Sequence, residues 1–345
     1  MRYLKIFDRF HNIIDEITEY SGLKYTWTLN GLGKCQFDVP LESQKCTPEN
    51  FNFLNHIEIW DETNNKCCWG GVLVDRNFQT PKLSISCFGY LFLLKQRRFR
   101  AKTYPELTYA ALFQQMIADT NIISPTGVTI GNIQAGSLKT QRKVEDKDYL
   151  LDMIQEYIND CNNDIEVDNN RLFNFYLRKG KDKSFYTLEY GGDADNILTD
   201  PGLSQSVQNL ANSIYSESDN DVTVLTSLGQ DTTSINLYGL VEGSYSANSG
   251  IVNQSTLDNY VQGELQRRAY ATNAVSLNAK DSSLCPFEDI EVGDSITVSL
   301  KPYWEYKELL RVLEMTHNEE AGERDIVVGQ TLYRPQPPKI KLYRK

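Results

Sequence analysis

The chain has 345 residues, of which 40% are hydrophobic, 23% charged and 11% aromatic, a globular composition long enough for about two domains. Its 35 Lys and Arg face 46 Asp and Glu, and the net charge of −11 sets aside non-specific grip on DNA or on an anionic membrane as the default function. The first residues, MRYLKIFDRFHN, place a charge in each short apolar group, and no window approaches the ~18 uninterrupted apolar residues of a membrane helix, so neither a signal peptide nor membrane insertion is expected.

Residues 3–40 read as three strands. Tyr3, Lys5 and Phe7 face one way and Leu4 and Ile6 the other, residues 25–29 follow, and residues 35–39 run into Pro40, which ends the pairing. Residues 57–98 then read as a three-stranded meander entering a short helix. Leu83, Ile85 and Cys87 alternate with Ser84 and Ser86, the period of a sheet with one buried face. Asn64-Asn65 suits a tight turn, and Gly70-Gly71 removes side chains where a strand bends or bulges. About six strands are enough to curl into one small closed or nearly closed barrel. The seven cysteines are odd in number and lack CxxC spacing, which argues against a disulfide framework and against a zinc site; Cys67-Cys68 reads as plain strand packing.

From about residue 102 the period changes. Tyr109, Leu112, Phe113, Met116 and Ile117 fall at helical spacing, and Leu150, Met153, Ile154, Tyr157, Ile158 and Cys161 form a second apolar stripe, with Asp146 or Asp148 placed to cap it. A hairpin of residues 164–167 and 172–177, turned at Asn169-Asn170, completes an α+β segment at 102–181. Residues 191–256 are rich in Gly, Ser, Asn and Asp, with short polar strands expected at 206–216, 221–225 and 234–238. Ser255 opens a helix whose buried edge is Leu257, Val261, Leu265 and Ala269, with Glu264 and Arg268 paired outside. Strands at 274–279, 296–300, 309–315 and 325–332 form a second meander, and the chain ends in a Pro-stiffened arm carrying Lys339, Lys341, Arg344 and Lys345.

Catalytic constellations are scarce. His11, His56 and His317 lack ligand spacing, Gly243-Ser244-Tyr245-Ser246-Ala247 lacks the second glycine of a nucleophile elbow, and neither a P-loop nor a dinucleotide fingerprint is present. Asp193 and Asp195, Asp219 and Asp221, and Glu288, Asp289 and Glu291 could supply the carboxylate pair of a glycosidase, yet 46 acids make such neighbours by chance. No catalytic residue, cofactor or metal is assigned, and a non-enzyme is expected. The KQRRFR run puts Lys95, Arg97, Arg98 and Arg100 together, either as a solvated helix end meeting the helix dipole or as a salt-bridge patch against an acidic neighbour.

The order of features resembles the tail hub proteins of bacteriophages and related injection machines, including the hub-like N-terminal part of tail-associated lysins. It comprises Phe37, Val39 and Pro40, then IEIWD, GGVLVDRNF and LSISCFGYL in residues 57–91, the basic run, and a second match in FEDIEVGDSITVSL and ELLRVLEMTH near residues 287–317. The resemblance implies a mainly β fold with α+β insertions, two small related β-barrels per chain and a helix-containing insertion domain. Its divisions would be a first barrel at 1–101, the insertion at 102–181, a second barrel at 182–335 with an inserted helix at 255–270, and the arm at 336–345. It further implies a homotrimer whose six barrels form a pseudo-hexameric ring at the virion tail tip or baseplate, after synthesis in the host cytoplasm. Expected neighbours are the tail tube or a distal tail protein, and a central spike, fibre or tape-measure protein. DNA would pass through the channel without specific nucleic-acid binding, and the chain, ending at Lys345, would leave no room for a lytic domain. The rival expectations are a cell-wall polysaccharide hydrolase or carbohydrate-binding β-protein and, nearer by, a distal tail-ring or adaptor subunit.

Overall fold

The computed structural model describes residues 2–136, 139–144, 148–193, 195–220, 223–246, 251 and 253–330. The arm with Lys339, Lys341, Arg344 and Lys345 lies outside them, as do Asp146 and Asp221.

The N-terminal half consists of β1 (Arg2–Phe7), β2 (Ile13–Ile17), β3 (Ser21–Thr28), β4 (Lys34–Pro40), β5 (His56–Asp61), β6 (Lys66–Gln79), β7 (Lys82–Gly89) and the short α1 (Phe92–Lys95). The alternation in the sequence sets the register: Cys35, Phe37 and Val39 of β4 stand opposite Cys87, Ile85 and Leu83 of β7, and all six are buried. Leu4 and Ile6 of β1 meet Ile59 and Ile57 of β5 on the same core. Asn65 takes the left-handed conformation of the β5–β6 turn (φ 49°). Gly70 is required by a close approach, since a Cβ there would come within 2.6 Å of the Tyr90 ring. A bulge leaves Cys68 unpaired between Cys67, opposite Trp60, and Trp69, opposite Ile59. All seven cysteines are free thiols.

An α+β segment follows: β8 (Lys102–Thr108), α2 (Tyr109–Ile123), β9 (Thr129–Ile133), β10 (Lys139–Val144), α3 (Leu150–Cys161), β11 (Asp164–Val167) and β12 (Leu172–Tyr176). Thr108 caps α2 by accepting from the Ala111 amide. The residue preceding α3 is Tyr149, which makes no side-chain cap, so the cap expected from Asp148 is not made. At the other end Asn162 closes α3 in the left-handed conformation.

The C-terminal half opens with β13 (Asp182–Tyr190) and β14 (Gly202–Ser206), continues through a small unit of β15 (Ser213–Asn220), β16 (Thr223–Gln230), α4 (Thr232–Tyr238), β17 (Glu242–Ser246) and α5 (Gln254–Arg268), and returns with β18 (Thr272–Lys280), β19 (Ser295–Leu300), β20 (Tyr306–Asn318) and β21 (Glu323–Gly329). Three readings of this stretch are corrected. The strand expected at 206–216 is two strands interrupted by a turn in which the Leu210 amide donates to Val207. Residues 234–238 are helical because Asp231 caps them, accepting from the Ser234 amide at 2.8 Å. The cap of α5 is Asn253 rather than Ser255. Its buried edge of Leu257, Val261, Leu265 and Ala269 is as expected, and it serves two cores: Val261, Leu265 and Ala269 pack with Ile214, while Leu257 and Tyr260 join the core of α2 and α3.

The two expected barrels are not found in that form. Among the described residues β1–β7 of the first half and β13, β14 and β18–β21 of the second belong to one 13-stranded sheet in which β2, β13 and β14 each have a single partner, while β15–β17 pair in a sheet of their own. The reason lies in β20, whose first part pairs with β19 while its second part, residues 314–318, pairs antiparallel with residues 24–28 of β3. Each half keeps its own apolar core, one around Tyr25, Phe37 and Ile85 and one around Val275, Ile296 and Val312, and Trp27 packs against both.

Candidate functional site

The seam between β3 and β20 is lined by side chains that hold the halves together. Thr26 and Thr316 share a hydroxyl hydrogen bond of 2.8 Å, and Thr28 donates to Glu314 at 3.1 Å. Arg2 pairs with Glu319, to which His317 also turns its Nε2 at 3.2 Å. The Tyr25 ring lies 5.2 Å from the His317 ring and 5.0 Å from that of Trp27.

A second joint ties the α+β segment to both halves at Asp164. Its carboxylate receives Arg311 Nη2 at 2.5 Å, Asn30 Nδ2 at 3.0 Å and the Lys179 amide at 2.7 Å, and both members of the ion pair are almost fully buried. Arg311 goes on to donate to the carbonyls of Gly293 and Lys179, while Asn30 accepts from the Ile165 amide. One residue from each part of the chain therefore meets in a single satisfied network, which specifies their relative orientation more sharply than apolar contact does. Its members stand 134 and 147 residues from Asp164, and nothing in the local pattern around Asn30 or Arg311 points to it.

In the N-terminal half Glu58 is the buried carboxylate. It accepts from His11 Nε2, Trp60 Nε1 and the Tyr90 hydroxyl, each at 2.9 Å. Burial pushes this carboxyl up, and the three donors more than offset it, so it lies below the usual range. His56 beside it is held down to about 4, by burial first and then by the neighbouring His11 and Arg171 charges.

The basic run is divided by the fold. The Arg97 guanidinium caps the end of α2, donating to the Ser124 and Pro125 carbonyls. The Arg98 backbone bridges to Tyr149, and its exposed side chain lies 5.7 Å from that ring. Lys95 and Arg100 are exposed. Exposed apolar groups gather at the β2 edge, where Phe10 is 71% and Ile13 58% accessible, and Trp304 at the β19–β20 turn is 98% accessible.

Asp195 accepts from the Gly191 amide at 3.3 Å, Asp289 accepts from the Tyr186 hydroxyl at 2.5 Å, and Asp193, Glu288 and Glu291 are exposed. The side chains of Asp219 and Asp221 lie outside the described residues. Among the described residues no three His, Cys, Asp or Glu side chains are grouped to hold a metal, and no helix is long and apolar enough to cross a membrane.

The YQBQ-like family model matches residues 23–326. Among solved structures the chain is similar to prophage tail protein gp18 from Listeria monocytogenes EGD-e, with a TM-score of 0.66 at 13% identity over 94% of each chain. It is similar to the 43 kDa tail protein of prophage MuSo2 from Shewanella oneidensis, with a TM-score of 0.69 at 11% identity over 96% of this chain and 98% of that one. It is also similar to the Escherichia coli protein c3393, a type VI secretion system component with structural similarity to bacteriophage T4 tail proteins gp27 and gp5, with a TM-score of 0.53 at 11% identity over 96% and 77% of the two chains. At these identities the likeness is one of fold. No curated protein matches the chain.

Proposed function

Because the chain belongs to the YQBQ-like family and shares its fold with prophage tail proteins along almost its whole length, we propose that it is a structural tail protein, the hub at the distal end of a phage tail or tail-like particle. The near end-to-end agreement with separate tail proteins carries this reading, because it includes the insertions as well as the sheet.

The hub assembles as a trimer. Each chain contributes two sheet halves with separate cores, fixed against one another by the β3–β20 seam, so three chains present six comparable β surfaces while the α+β insertions occur three times. That arrangement fits a six-fold tube on one side and a three-fold spike, fibre or tape-measure protein on the other. Lys95, Arg98 and Arg100 remain available for acidic surfaces of neighbouring subunits. With a net charge of −11 per chain, the lumen is neutral to negative and lets DNA pass without holding it.

The deciding measurement is the symmetry of the ring. Class averages of the purified assembly or of the particle are expected to show three-fold symmetry, and a true six-fold ring or a single copy per particle would overturn the trimer.

A further inference from the structure

Among the described residues three strands of the large sheet have one partner each, β2, β13 and β14. The outer side of β13 is in use, since Leu284 accepts from the Thr187 amide and Glu189 accepts from the amides of Asn196 and Ile197. Strand β14, GLSQS, carries no charge. Strand β2, IIDEI, offers more. Ile13 and Ile14 are exposed beside Phe10, and at its far end Ile17 is buried while Glu16 faces solvent. The Glu16 amide is met only by the neighbouring Asp15 carboxylate at 2.8 Å, a contact that an incoming carbonyl can replace while Lys45 and Asn50 keep hold of Asp15. An apolar sheet edge with backbone groups on offer is one that proteins cover.

Residues 331–345, TLYRPQPPKIKLYRK, lie outside the described residues and supply matching chemistry. They hold five of the 35 Lys and Arg and none of the 46 Asp and Glu, so the arm is cationic and the surface it meets is acidic on balance. Pro335, Pro337 and Pro338 have no amide to donate, which places the pairing segment after them. There Ile340 and Leu342 alternate with Lys339, Lys341 and Tyr343, a strand pattern too short to stand without a partner. Extended, residues 331–338 reach about 28 Å, enough to carry that segment from the end of β21 to another copy of the chain.

We propose that residues 339–343 of one copy add a strand to the free edge of β2 in a neighbouring copy. Ile340 and Leu342 then extend the side of Ile17, and Lys339 and Lys341 come beside Glu16. The proposal rests on the reading of the chain as an assembling subunit. Its contact is heterologous, each copy giving an arm and receiving one, and such a contact closes into a ring.

The test compares the full chain with two full-length variants by sedimentation and light scattering. One carries Ile13→Lys and Glu16→Lys on the receiving edge, the other Ile340→Asp and Leu342→Asp in the arm. Each should self-associate about tenfold more weakly. Mixed, each keeps the half that the other lacks, and a heterodimer is expected. A synthetic peptide of residues 331–345 should compete with wild-type assembly, and a scrambled peptide of the same composition should not. Unchanged assembly in either variant, no heterodimer, or equal action of the scrambled peptide would overturn the strand addition while leaving a trimer standing. A wild-type chain that stays monomeric counts against the trimer instead, and docking is then read from the labelled peptide: saturable binding lost in the β2 variant supports it, and no binding, or binding kept in that variant, overturns it. A lower unfolding temperature in a monomeric arm variant would put the arm on its own chain and overturn the neighbouring copy as its host. Should the doubly substituted β2 variant not fold, Ile13→Lys alone takes its place with the same readings.

Discussion

His56 is a buried imidazole whose Nδ1 lacks a partner, and its depressed pKa makes it a stability element with a defined sign. In the unfolded chain it takes up a proton near the ordinary value of 6.5, whereas in the folded chain it does so only at about 4. Between these values the unfolded state binds more protons, so stability falls as pH is lowered through this window, by up to about 3 kcal/mol. Chemical denaturation from pH 7 to 4 is expected to reveal that slope, and His56→Phe to flatten it. Asp164 and Arg311 give a second prediction at this scale. Removing one partner strands a buried charge, so Asp164→Asn or Arg311→Met should each destabilise by about 3–5 kcal/mol, with the double variant losing less than the sum. An additive cycle would show that the pair is not the joint. None of these roles was legible in the sequence, where the histidines have no ligand spacing and Asp164 is one acid among 46, because each depends on residues brought together over long separations.

Elements with a strong period were legible. The β4 and β7 faces and the stripes of α3 and α5 follow directly from spacing. The strands the sequence did not announce, β2, β8, β9, β10, β13, β14 and β17, are short, charged or at a sheet edge, where little burial imposes alternation. The helix α4 was hidden because its residues are equally at home in a strand, and one capping aspartate decides the outcome. The β2 edge carries its own prediction: exposed Ile13 contributes little within the chain, so Ile13→Lys should leave monomer stability within about 0.5 kcal/mol. If the edge is an inter-subunit contact, the same change should shift the assembly equilibrium toward monomer in light scattering.

For the whole molecule, the family order of motifs was readable while the joining of both halves into one sheet was not, since the bonds of β20 to β3 leave no trace in either strand's own pattern. The C-terminal arm is proposed to add an edge strand to a neighbouring subunit, with Lys339, Lys341, Arg344 and Lys345 finding acidic partners on it. Deleting residues 336–345 should leave thermal unfolding of the monomer unchanged and weaken trimer formation or docking of the next tail component. Equal assembly of the shortened chain would remove the arm from the interface. The seam also governs the order in which the molecule can be made. The edge of β3 leaves the ribosome early, and its partner in β20 follows 292 residues later in the pair Tyr25 with His317. Closing so long a loop is slow, and until it closes the edge offers bare amides and carbonyls to any other chain. Synthesis therefore passes through a stage in which the first half is built but adhesive, and completion of the last hairpin turns the nascent chain into a subunit that selects its neighbours.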